Sequence, residues 1–327
     1  MKKTILLIIN LILLIIVVIG MVFLFKDKVQ NNNVLIQNDN DNKINIVTTL
    51  FPEYDFVKHI VGDNANVSLI LKSGVETHNF EPTAQDIISI NSSDLFITLG
   101  EELEPWTKDI SGSIEDKEKI IDLSKNVNLI YQDEFIKETH EHDESEAHEH
   151  EESHDSHIWL SLSNSKIMIE NILEEIIKID KENEEYYRNN AQNYITEIDK
   201  LDMEFKNFFD SNKDIILVFG GEFAYSYFVS EYDVNFASVY TNCGHGEDPS
   251  ISRVKSVIDI INEKDIPVVF YEELSEGVVA KMIAEETNAE SKVLYTLHNG
   301  SIATDNPDTY VSLMKKNLEN IKSVVSK

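Results

Sequence analysis

The chain has 327 residues, 42% of them hydrophobic, enough for two ordinary cores of about 130 residues each. Its 28 basic residues stand against 59 acidic ones, a formal charge of -31; such a surface excludes a polyphosphate-binding face, and so nucleic acid, and it favours cations. The single cysteine, Cys243, excludes an intrachain disulfide, so packing must supply the stability.

The elements follow in chain order. Lys2 and Lys3 precede an uncharged apolar run from Ile5 to Phe25, and roughly 20 apolar residues span a bilayer. The two lysines would hold that end in the cytoplasm and send the rest out. Residues 1–25 are therefore a signal segment or a membrane anchor, and bulky Met21, Val22 and Phe23 after Gly20, in place of a small-residue cleavage site, favour an uncleaved anchor. A lipid-modified cysteine is excluded there, since Cys243 lies far downstream. Residues 26–43, polar and Asn-rich, read as a flexible tether. From Ile44 short apolar runs alternate with amphipathic ones: INIVTTL, YDFVKHIV, NVSLIL, AQDIISIN, DLFITLG and KIIDLS. That rhythm predicts βαβ units with buried parallel strands. After an acidic loop, Ser163 to about Phe209 carries apolar residues at helical spacing with a break at Asp180–Asn183. The first pattern then returns, with strands DIILVFG, VNFASVY, PVVFYEE and KVLYTL separated by helices at about 222–230, 250–263, 276–288 and 307–325. The expected architecture is α/β: an N-terminal lobe over 44–162 that includes a His-rich loop at 139–156, connecting helices over 163–210, and a C-terminal lobe over 211–327. A long rigid helix joins the lobes, and ligands in such folds sit where strand C-termini face each other.

Six of the ten histidines fall between His140 and His157, interleaved with acidic residues in the run THEHDESEAHEHEESHDSHIWL. Neutral imidazole is a good ligand for zinc, copper and nickel, and carboxylates add charge. A segment this polar cannot bury a core, so His140, His142, His148, His150 and His154 read as a weak, multi-register metal collector. His157 differs, because Ile158-Trp159-Leu160 follows it and can hold it rigidly. His78, in GVETHNFEPT just after the strand NVSLIL, also sits where a strand C-terminus places a ligand. His59, on an apolar helical face, reads as structural; Trp106, Trp159 and the aromatic run Phe219 to Phe228 read as packing.

Together, GVETHNFEPTAQDI, DLFITLGEELEPW, HIWL after a His-rich loop, FGGEFAYSYFVSEYDV and the GEDPS turn resemble the zinc and manganese substrate-binding proteins of ABC transporters. The resemblance covers roughly Ile44 to the C-terminus. It implies a metal held between the lobes by side chains of both, with His78 and His157 matching the two N-lobe histidines. It puts the third position at Glu222, where zinc members commonly carry histidine and manganese-type members glutamate. The fourth, commonly aspartate, would fall near Tyr295, a poor ligand, and His298 is the substitute at the same strand end. Cys243 and His245 lie in a loop that the family brings near the cleft.

The implied function is extracytoplasmic capture of a divalent transition metal, Zn²⁺ before Mn²⁺, by a membrane-tethered monomer that delivers it to an ABC permease and its ATPase. Two imidazoles, a carboxylate and one further ligand would make a closed tetrahedral site. Binding should weaken as histidines protonate near their ordinary pKa of about 6.5. A manganese receptor of the same kind, a metal-buffering adhesin, and a tethered zinc hydrolase using Glu76 or Glu81 as base are the alternatives. The chain lacks H-E-x-x-H and G-x-S-x-G, which counts against an enzyme.

Overall fold

Residues 43–75, 77–78, 80–131, 154–240, 249–302 and 307–325 are described by a computed structural model. The expected anchor, nearly all of the tether, Cys243, His245 and the loop histidines up to His150 lie outside them, as does Glu76. Among the described residues no helix is long and apolar enough to cross a membrane.

Among the described residues eight short strands form two parallel sheets of four. The first contains β1 (Ile44–Thr48), β2 (Ala65–Leu69), β3 (Leu95–Thr98) and β4 (Ile120–Asp122) in the order β2-β1-β3-β4. The second contains β5 (Ile216–Phe219), β6 (Asn235–Ser238), β7 (Val268–Tyr271) and β8 (Glu290–Val293) in the order β6-β5-β7-β8. The two orders are the same pattern, a doubly wound sheet whose strand C-termini open onto a ligand crevice. Central strands such as Leu95–Thr98 are buried on both faces, as continuous apolar runs in a parallel sheet require.

Helices α1 (Phe51–Val61), α2 (Ala84–Ser92) and the short α3 (Trp106–Ile110) belong to the first sheet; α4 (Leu162–Ile179) and α5 (Glu184–Ser211) connect the sheets; α6 (Ser226–Glu231), α7 (Ile251–Lys264), α8 (Val278–Thr287) and α9 (Tyr310–Lys322) belong to the second. The starts are written in the sequence. Thr83 and Asp86 form a reciprocal capping box on α2, and Ser161, Ser250 and Thr309 cap α4, α7 and α9. The break at Asp180–Asn183 is present as a 3₁₀ turn at Lys181–Asn183.

Two elements depart from expectation, each because a tertiary contact overrides the local pattern. The helix expected from Glu222 begins only at Ser226, so Glu222 does not open it. The preceding Phe223 and Tyr225 instead pack their rings on Phe219, with centroids 5.1 and 5.0 Å away, and aromatic burial outweighs the local helical pattern. The strand expected over KVLYTL ends at Val293. Beyond it the Tyr295 N–H donates to Asn317 Oδ1 and the Thr296 N–H to Glu273 Oε2, both at 2.7 Å. Side chains have taken the donors that a neighbouring strand would have used, and the backbone leaves the sheet.

The main core is continuous. One cluster runs from Ile46 and Phe96 of the first sheet through Ile169, Ile172 and Phe205 of α4 and α5 to Phe219 and Phe270 of the second and Leu318 of α9. Each such side chain contributes about 1.5–3 kcal/mol by leaving water, and residues Ile44–Lys327 form one compact unit. A polar staple lies inside it. Asp55 of α1 accepts from the Tyr194 hydroxyl of α5 and, at 3.1 Å, from the backbone N–H of Tyr310 at the start of α9. His59 stacks on Tyr194 with ring centroids 3.7 Å apart, the structural placement its helical face suggested.

Candidate metal centre

Three histidines separated by as many as 220 positions in the chain converge. One ligand atom from each of His78, His157 and His298 lies within 4.8 Å of the others. Ring centroids stand 5.7 Å apart for His78 and His157, 5.5 Å for His78 and His298, and 5.0 Å for His157 and His298. His78 rides the loop after β2 and is half-buried, whereas His157 and His298 are 4% and 7% exposed.

Local chemistry fixes which nitrogen of the buried pair faces the centre. His157 precedes a 3₁₀ turn, Ile158–Leu160, whose side chains are all buried. Its Nδ1 lies 2.7 Å from Asp155 Oδ1, which also accepts its backbone N–H at 2.9 Å. A carboxylate can only accept, so in the neutral ring Nδ1 carries the proton and Nε2 keeps its lone pair. His298 repeats the device. Its Nδ1 lies 2.7 Å from Thr296 Oγ1, and that hydroxyl donates to the Glu273 carboxylate at 3.1 Å. The threonine proton being committed to Glu273, its oxygen accepts Nδ1–H, and again Nε2 is the free acceptor. Both Nε2 atoms are buried and, among the described residues, have no hydrogen-bond partner. Buried polar atoms are rarely left so, and a ligand atom awaiting an ion is the chemical reason for such an exception.

Electrostatics agrees. Burial, then the proximity of His157 and His78, holds the His298 imidazole well below its ordinary pKa. Its Nε2 therefore stays available below pH 6.5, which shifts the expected loss of ligation by this ring to more acid conditions. Burial alone would raise the Asp155 carboxyl, but His157, with hydrogen bonds from His157 and Ser226, holds it below its ordinary value. The two halves of the site are tied through Trp159, whose indole N–H donates to the Thr296 carbonyl at 2.8 Å. Leu297, just before His298, has φ 62° and is fully buried. A leucine in the left-handed region costs of order 1 kcal/mol or more and persists only where its surroundings enforce it; here it turns His298 inward.

Among the described residues, the other candidates fall outside this group. Glu222 is outside the three-histidine group; it sits beside Glu272, whose carboxyl is raised by burial and then by the Glu222 charge. His154 is also outside the group; it pairs with Tyr131 in an antiparallel bridge, and its Nδ1 is 4.0 Å from Glu102 Oε1. Tyr295 lies under the Lys316 ammonium, 5.6 Å from the ring centre. Asp155, Thr296 and Glu273, which orient the buried rings, were not singled out from the sequence. A signal was there: an acceptor stands two residues before each histidine, as Asp155-Ser156-His157 and Thr296-Leu297-His298.

Zinc takes imidazole nitrogen at about 2.0–2.1 Å, so one ion would draw these rings slightly inward. Two matched parallel sheets, bridged by paired helices and closing three imidazoles between them, are the architecture of a metal-binding solute receptor. The family model described as "Zinc-uptake complex component A periplasmic" (ZnuA) matches residues 46–324, and the chain belongs to that family. It is 31% identical over 284 residues to the high-affinity zinc uptake system protein ZnuA of Bacillus subtilis, covering 86% of this chain and 87% of that one. It is 29% identical over 330 residues to zinc-binding protein AdcA of Streptococcus pyogenes, covering 98% of this chain but spanning only 61% of that relative's length. The Zn(II)-bound ZnuA-like domain of Streptococcus pneumoniae AdcA superposes with a TM-score of 0.70 at 25% identity, over 88% of this chain and 100% of that one.

Proposed function

We propose that this protein captures Zn²⁺ outside the cytoplasm through His78, His157 and His298 and delivers it to the ABC permease and ATPase of a zinc-uptake system. The observation that carries the reading is the pair of buried, unpartnered Nε2 atoms whose opposite nitrogens are fixed by Asp155 and Thr296. Outer-shell acceptors of this kind set the tautomer and raise ligand basicity. Three nitrogen donors favour zinc over manganese, which prefers oxygen. The zinc named in its relatives and bound in the AdcA domain supports the same ion. Glu222 or a water completes the coordination, Glu222 after a movement of the segment between β5 and α6.

In this reading the chain is a transport receptor rather than an enzyme, works as a monomer, and is held at the extracytoplasmic face by residues 5–25. His140, His142, His148, His150 and His154 gather metal weakly and pass it to the site. Zinc titration with a competing chelator tests the core of it. One tight site per chain, lost in His157→Ala and in His298→Ala, is the expected result; tight binding retained in both variants would refute the site.

A further inference from the structure

The loop that carries His78 is fastened to the segment that carries His298. The Gly74 N–H donates to Asn299 Oδ1 at 2.7 Å, and Asn299 Nδ2 donates to the Val75 carbonyl at 3.3 Å. Beside them the Ser73 hydroxyl donates to the Gly300 carbonyl at 2.5 Å. One carboxamide thus reads a donor and an acceptor on consecutive residues, an arrangement that only one orientation of the amide satisfies. These bonds join positions more than 220 residues apart, between the loop after β2 and the segment after β8. Backbone shape supports the contact on both sides. Gly74 has φ +85°, a conformation that other residues rarely adopt, and a Cβ on Gly300 would lie 2.2 Å from the Phe51 ring. The second glycine lets the His298 segment lie directly on the first turn of α1.

We propose that Asn299, assisted by Ser73, is a latch that positions His78 against the buried pair and so sets how fast the metal leaves. This rests on the metal reading given above. His157 and His298 are held from within by Asp155, Thr296 and Trp159. His78 belongs to a loop only four residues beyond Gly74, and it is the half-buried member of the three. Because the main core runs through both sheets and the helices between them, a wide opening of the two halves would expose much apolar surface. Release of the latch frees one loop and one ligand without that cost, the small hinge-like motion expected where a packed body surrounds a site.

The test is Asn299→Ala in the full chain, alone and with Ser73→Ala, read by the rate at which bound Zn²⁺ passes to a chelator. Zinc should still bind one per chain, and release should be about tenfold faster, the equivalent of about 1.4 kcal/mol, while the melting temperature of metal-free protein changes little. In a His78→Ala background the same substitution should add nothing, since the latch acts through His78. An unchanged release rate, or an equal acceleration without His78, would overturn the proposal. Hydrogen exchange at the Gly74 amide in metal-free protein separates this from the cargo question. Slower exchange in the wild type than in Asn299→Ala is expected whatever the ion; equal exchange would show that no latch exists. A wild-type chain that takes up no stoichiometric zinc would count against the zinc reading alone.

Discussion

His157 and His298 are buried and each is held by an acceptor two residues earlier; His78 is half-buried on a loop whose position depends on hydrogen bonds to the opposite segment. The comparison teaches how one site can be both rigid and releasable. The buried pair supplies fixed tautomers and a dry wall, which favour tight ligation, while the third ligand arrives with a loop that can move. Strength and exchange are assigned to different parts of the same triangle.

The largest effects should come from the buried pair. His157→Ala and His298→Ala should abolish tight zinc binding, and each should also destabilise metal-free protein by about 1–3 kcal/mol, because Asp155 or Thr296 loses its partner. His78→Ala should impair binding too but cost less stability, since its ring is half-exposed. Paired chelator titrations and thermal melts check this. Equal stability losses at all three would break the comparison.

Next come the groups behind the rings. Asp155→Asn and Thr296→Val should lower zinc affinity roughly 10–100-fold while keeping one site per chain. Asp155→Asn weakens the acceptor that keeps the His157 proton on Nδ1, and Thr296→Val removes the oxygen between His298 and Glu273. Calorimetry on both variants measures the drop; wild-type affinity would mean that ring orientation is set by packing alone.

A smaller effect concerns two carboxyls just past the C-termini of β1 and β3. Glu53 and Glu104 are buried together, Thr49 donating to Glu53 Oε1 at 2.7 Å and the Leu99 N–H donating to Glu104 Oε2 at 2.7 Å. Burial raises the Glu104 carboxyl to about 7 against these hydrogen bonds, and burial, then the Glu104 charge, raises Glu53 as well. The folded protein therefore holds protons that the unfolded chain has lost. This contribution to stability is complete below about pH 4.5 and disappears as pH rises through about 7. Glu104→Gln keeps an acceptor for Leu99 and should flatten that decline, by on the order of 1–3 kcal/mol at pH 8. Denaturant melts between pH 4.5 and 8 read it out; a slope like that of the wild type would place the proton elsewhere.

The repeated strand pattern was legible because parallel strands buried on both faces must be apolar runs, as in LFIT and ILVF. His78 and His157 stood out because each adjoins a segment that packs. Glu222 and the end of KVLYTL were read less well, since what decides them is tertiary: rings of Phe223 and Tyr225 seeking Phe219, and Asn317 and Glu273 capturing backbone donors from 22 and 23 residues away. No local pattern encodes such captures. Asp155 was visible but lost among the loop's other carboxylates, although its spacing to His157 matches that of Thr296 to His298.

The most direct test of the three-histidine site is a competitive titration of Zn²⁺ against Mn²⁺ on the chain with His140, His142, His148 and His150 replaced by alanine. The account predicts one tight zinc ion per chain that excess manganese does not displace. Loss of the tight site with those loop histidines, or ready displacement by manganese, would contradict it.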